Sequence, residues 1–134
     1  NYNTWPLMAD KLIPPGLGML SPWWMNFFEN AMTVQFIHRL VAYILFGVTL
    51  VHVLRGRSLT GNLLLAGVLG QAILGICTLL WHVPISLALV HQGGALVVLA
   101  AAVVHLHRVA SAAKAPEAGP ADISEKLVAN PKAA

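Results

Sequence analysis

Three apolar runs, none with a charge near its middle, constrain this chain more than any other feature. They extend from about Met32 to Leu54, from about Asn62 to Trp81 and from about Ile85 to His107. Each reaches the roughly 20 residues needed to cross the hydrocarbon core of a bilayer. None contains a proline. Backbone in lipid must satisfy its own hydrogen bonds, so runs of this length predict spanning helices rather than open strands.

Composition agrees. Of the 134 residues, 57% are hydrophobic and only 10% are charged. A soluble domain carries about a quarter charged residues, so this chain lacks the polar surface that a soluble enzyme, a nucleic-acid binder or a disordered tail needs. The net charge is +3, but the basic residues flank the apolar runs and form no patch, which argues against nucleic acid as a partner. The single cysteine, Cys77, excludes an internal disulfide and a cysteine-rich metal site. Inside an apolar run it is expected to pack as an inert core residue.

Lysine and arginine set the orientation. Arg55 and Arg57 lie between the first two runs, and Arg108, Lys114, Lys126 and Lys132 follow the third. This side is expected to be cytoplasmic. The opposite side holds Lys11 and the turn Trp81-His82-Val83-Pro84, with Arg39 about two turns into the first run. The first and third helices therefore run inward and the second returns.

Residues 1–31 read as an external loop with a short interfacial helix. Pro6, Pro14, Pro15, Gly16 and Gly18 break any longer helix. Ser21-Pro22 is a helix start, with Ser21 expected as N-cap and Pro22 at the first position. Trp23, Trp24, Phe27 and Phe28 suit the aromatic belt at a membrane surface. Residues 109–134, rich in Ala, Pro, Gly and charge, are expected to form a flexible cytoplasmic tail. The first residue is Asn1, not Met, and no charged segment precedes an apolar one, so no signal peptide is expected. The simplest reading is a fragment whose upstream part is missing.

Six histidines stand against five carboxylates. An ionisable residue inside a span is costly and points to function. His38 and His91 each lie about six residues into helices that enter from the same side, so both sit roughly 9 Å below the outer helix ends. Two neutral imidazoles facing each other at one depth can ligate a haem iron from both faces, and helix bundles build such sites from facing helices. Gly93 and Gly94 would let a flat macrocycle approach the backbone, and Arg39 offers a cation for a propionate. The bland alternative is that each histidine only bonds to a neighbouring helix.

A second pair follows the first. His52 is fourteen residues after His38, and His105 fourteen after His91, close to four helical turns. The seams His38, Ala42, Leu45, Thr49, His52 and His91, Ala95, Val98, Ala102, His105 can face each other. The lower level would lie about 21 Å deeper. It is either a second haem level, as in di-haem b-type cytochromes, or, preferred here, a set of interfacial residues (His52, His105 and His107) at helix ends. His82 is expected to be solvated. On the second helix, Ala66-x-x-x-Gly70 and Gly67 suit close helix packing, and Gln71 is a polar residue for a neighbouring helix.

In order along the chain stand Asn3-Thr4-Trp5-Pro6-Leu7-Met8, Ile13-Pro14-Pro15, Asn26-Phe27-Phe28-Glu29-Asn30 and Thr33-Val34-Gln35-Phe36-Ile37-His38-Arg39-Leu40, with Ala42-Tyr43. Then come Gln71-Ala72-Ile73-Leu74-Gly75-Ile76-Cys77-Thr78-Leu79, Val83-Pro84 and His91-Gln92-Gly93-Gly94-Ala95-Leu96. Taken together these strings resemble the haem A synthases of the proteobacterial and mitochondrial branch, over roughly residues 1 to 108. The resemblance implies eight spanning helices in two similar four-helix halves, each with a histidine pair. This chain resembles the second half without its first spanning helix. In the first half a Glu stands three residues before the first histidine; Gln35 stands here, which agrees with the second half. The external cysteine pair of many members belongs to the first half.

The resemblance further implies that His38 and His91 are the axial ligands of a haem b, with Arg39, Gly93 and Gly94 around it and no catalytic residue in this half. It implies an oxidoreductase that converts the methyl group of haem O to the formyl group of haem A, supplied to terminal oxidases. The implied partners are the N-terminal half, haem O, an electron donor, haem O synthase and membrane lipid, in the bacterial inner membrane. The fold expected is an all-α integral membrane protein: three transmembrane helices plus a short interfacial helix, an incomplete four-helix haem-binding bundle over residues 32–108. Two other readings remain open: a di-haem b-type electron-transfer cytochrome or membrane anchor subunit, and a helical membrane protein without cofactor.

Overall fold

The computed structural model describes residues 2–114. An irregular segment leads into a 3-10 helix, Trp23–Phe27, followed by three long helices: α1 (Ala31–Arg55), α2 (Leu59–Leu80) and α3 (Ile85–Lys114). All three are long and apolar enough to cross a membrane. The only β pairing among the described residues is an isolated bridge between Met8 and Lys11.

Local chemistry sets the helix ends. The Asn30 side chain accepts from the backbone N–H groups of Met32 and Thr33 at 3.1 and 3.3 Å, which fixes the start of α1. Ser58 accepts from Gly61 N–H at 3.1 Å, so α2 begins earlier than its apolar run. Between α2 and α3, His82 and Val83 both adopt left-handed backbone, with φ of 61° and 58°, a conformation uncommon for a β-branched residue. Pro84 then precedes α3, where a missing N–H does no harm.

Two expectations about ends are corrected. Pro22, not Ser21, occupies the N-cap of the 3-10 helix, and no side chain caps it. The turn is instead held by Asn26, which accepts from Leu20 N–H and donates to the carbonyls of Leu20 and Trp23. The third helix does not end near His107 but runs to Lys114; the alanines Ala110, Ala112 and Ala113 favour its continuation and no Gly or Pro interrupts it before Lys114. The remainder of the expected tail, residues 115–134, lies outside the described residues.

The helices pack as a chain of neighbours, α1 on α2 and α2 on α3; no Cα of α1 comes within 8 Å of one of α3. Most apolar side chains face outward: at most 11% of any spanning window is buried. Such a surface suits lipid or further helices rather than water. What is buried between the helices is small or polar, including Thr49, Val53, Val68, Thr78 and His105, as expected where packing in lipid relies on close approach and hydrogen bonds. Gly67 takes part, facing Val98. The expected Ala66–Gly70 stripe does not: Ala66 is exposed and a Cβ on Gly70 would meet nothing within 4 Å. Sequence spacing defines a stripe but not the side of the helix that receives a partner.

The N-terminal segment is tied to the outer half of α1. Gln35 accepts from Tyr2 N–H at 3.1 Å and donates to Tyr2 C=O at 2.9 Å. One turn on, Arg39 donates to the carbonyls of Tyr2 and Leu7. A further turn on, Tyr43 OH accepts from the Trp5 indole at 2.9 Å. Asn30 donates to Gly16 C=O. Residues at i, i+4 and i+8 share a helix face, so one stripe of α1 holds the loop while its neighbouring stripe carries the histidines.

Candidate functional site

The gap between α1 and α3 is bridged by the two histidine pairs. At the outer level the rings of His38 and His91 have centroids 6.2 Å apart and planes at 80°. Fourteen residues further along both helices, the rings of His52 and His105 are 5.0 Å apart, also at 80°. The two seams therefore keep register over four turns, as their spacing predicts.

The two levels differ in their partners. His52 Nε2 and His105 Nε2 are hydrogen-bonded at 2.8 Å, and His105 Nδ1 is bonded to Thr60 Oγ1 at 2.9 Å. His38 and His91 make no hydrogen bond among the described residues, and His91 Nδ1 is buried without a partner. An unpaired polar atom in an apolar interior is costly, so the upper pair is the one left open to a ligand.

Its spacing admits an iron. A metal–imidazole bond is about 2 Å, so two imidazoles on opposite sides of one ion hold their nitrogens about 4 Å apart and their ring centres roughly 6 Å apart. The outer pair meets this separation; the inner pair, in direct contact, does not. The slot at the outer level is also open. His38 is exposed, whereas Gly93, two residues and about 200° around the helix from His91, points away from the slot, and a Cβ there would meet nothing within 4 Å. Residues of this site fit a flat macrocycle held between two imidazoles.

Other residues singled out in the sequence take distinct places. Gly94 faces α2, where an added Cβ would collide with Gln71 Nε2; its missing side chain makes room for Gln71, whose Oε1 is buried without a partner. Arg39 serves the N-terminal segment through both terminal nitrogens. Of the three expected interfacial histidines, His52 and His107 are exposed. His105 is instead 6% exposed and is the one buried residue of α3, because Thr60 and Gly61 at the start of α2 close over it. His82 is exposed in its turn.

Two residues, Thr60 and Gly75, were assigned no role from the sequence. Thr60 is an ordinary helix-start residue until α3 places His105 beside it. Gly75 lies against His91: a Cβ there would come within 2.9 Å of His91 Cε1. Gly61, Val68 and Gly75 recur every seven residues on α2, which is the signal that marks its buried seam.

The chain matches the COX15-CtaA family, described as cytochrome oxidase assembly protein, over residues 1–103. It is 48% identical over 112 residues to a heme A synthase of Bartonella bacilliformis, covering 78% of this chain and 31% of the relative. It is 51% identical over 113 residues to a heme A synthase of Mesorhizobium japonicum, with 78% and 31% covered. A heme A synthase of Bartonella tribocorum is 48% identical over 124 residues, with 87% and 35% covered. The chain thus spans about a third of the length of these relatives. No solved structure matches it significantly. With three membrane-length helices, two interhelical histidine pairs and these relatives, the chain belongs to the cytochrome oxidase assembly protein family that includes the heme A synthases, as a multi-pass membrane protein.

Proposed function

We propose that this chain is the C-terminal, cofactor-binding half of a haem A synthase, and that His38 and His91 would hold its b-type haem through their imidazoles. The observation that carries this reading is the 6.2 Å ring separation of two otherwise unpartnered imidazoles across the α1/α3 gap. A guanidinium has five N–H donors, so Arg39 retains donors for a propionate while it holds Tyr2 and Leu7. When bound, the haem supplies one-electron redox chemistry; the protein supplies ligation, orientation and exclusion of water.

The intact protein, on this reading, oxidises the methyl group of haem O to the formyl group of haem A for terminal oxidases, in the bacterial inner membrane. The oxidised substrate belongs to the other half, and no residue of this chain is assigned to catalysis. Its partners are the N-terminal half, haem O, an electron donor and haem O synthase. The 2.8 Å contact of the inner histidines favours one haem in this half over the two of a di-haem cytochrome.

The test is the haem spectrum of the intact protein after His38→Ala or His91→Ala. Each is expected to abolish one low-spin b-type signal. A spectrum unchanged by both substitutions would refute the assignment.

A further inference from the structure

The spanning helices are joined by very few polar links. Among the described residues, every hydrogen bond between two different spanning helices involves His105: one to His52 of α1 and one to Thr60 of α2. Since the α1 and α3 backbones do not meet, the His52–His105 bond is the sole polar connection across the gap that also holds His38 and His91. The inner level is closed, with rings 5.0 Å apart, and the outer level is open, with rings 6.2 Å apart.

We infer that Thr60, His105 and His52 form a clasp that sets the α1–α3 spacing and thereby the distance between the outer histidines. The hydroxyl of Thr60 rotates to donate or accept, so it fixes the orientation of the His105 ring through Nδ1. That orientation aims Nε2 at His52. Packing reinforces it: a Cβ on Gly61 would lie 3.4 Å from His105 Cε1 and 3.5 Å from Val53 Cγ2, so the three helices meet at this one level. A groove of about 220 Å³ lies beside the clasp, lined in part by Thr49, His52, Leu64 and His105, and gives the rings room to separate if their bond is lost. A rigid closed end and an open outer end make the pair of helices a fork whose gape is fixed at the base. These are positioning residues, and their effect on ligation rests on the haem reading above; their effect on helix spacing does not.

The experiment uses the intact protein in a lipid nanodisc with Cys77→Ser, and spin labels at Leu54→Cys on α1 and Val103→Cys on α3, both outward-facing positions 63% and 59% exposed. Distance distributions and haem spectra are recorded with His52 and His105 native, each replaced by Leu, and both replaced by Gln, a pair that can bond to each other. The Leu variants are expected to broaden and lengthen the label distance. They are also expected to lower haem affinity about tenfold, as loss of a residue supporting metal ligands does, with a changed low-spin signature. The Gln pair is expected to restore both. An unaltered distance in the Leu variants overturns the clasp, as does an altered distance that leaves haem binding unaffected. Loss of one of two haems on substituting His52 or His105 also overturns it, because the inner level would then be a ligand site. If the native protein binds no haem, the haem reading falls, while the label distances still decide whether the clasp sets the spacing.

Discussion

Gly75 of α2 stands directly against the imidazole of His91 of α3, at a separation that leaves no space for a methyl group: the added Cβ would lie 2.9 Å from Cε1 and 3.4 Å from Nε2. The backing wall of the outer histidine is thus bare backbone. Gly75→Ala is expected to displace the ring, at an overpacking cost of about 1–3 kcal/mol, and to lower the haem-to-protein ratio of the purified protein. Gly70→Ala, which meets open space, is the matched control and is expected to leave the ratio intact.

The reciprocal pair between Gln35 and Tyr2 predicts that a single change on α1 loosens the start of the N-terminal segment, which Arg39 and Tyr43 still hold further along. Gln35→Ala removes both bonds, each worth about 1 kcal/mol. Amide hydrogen exchange in residues 2–11 is expected to accelerate, with α2 and α3 unaffected. Gln35→Glu keeps the acceptor for Tyr2 N–H but loses the donor to Tyr2 C=O, so its effect is expected to be of the same sign and smaller in extent.

Asn30 both caps α1 and donates to Gly16 C=O and Asn26 Oδ1. Asn30→Ala is expected to lower stability by about 1–2 kcal/mol, read as a lower thermal midpoint in detergent. Asn30→Asp retains the cap and loses the donor, so it is expected to fall between the native protein and Asn30→Ala.

Orientation can be checked directly. With Cys77 replaced by Ser, a cysteine at Arg57 is expected to react with an impermeant maleimide only from the cytoplasmic side. A cysteine at His82 is expected to react only from the other. The distribution of lysine and arginine about the spans sets this expectation, and labelling from the reverse sides would overturn it.

The helices themselves were legible from the chain because bilayer length and the exclusion of charge are one-dimensional properties. The histidine levels were legible for the same reason: fourteen residues on each of two helices entering from one side is a statement about axial rise. Rotation about the helix axis is not one-dimensional. The Ala66–Gly70 stripe had the spacing of a packing face, yet α2 turns Gly61, Gly67 and Gly75 toward its neighbours instead. Likewise His105 carried the same sequence credentials as His52 and was expected at the interface, but only the placement of Thr60 beside it shows that it is buried and bonded.

The sequence by itself determined three spans, the register of two histidine pairs and the family whose motifs they carry. Tertiary structure decided which level is open. Both pairs share residue type and spacing, but a 6.2 Å ring separation without partners and a 2.8 Å hydrogen bond are different chemical situations. That difference lies in what α2 presents beside each α3 histidine, glycine against His91 and a threonine hydroxyl on His105.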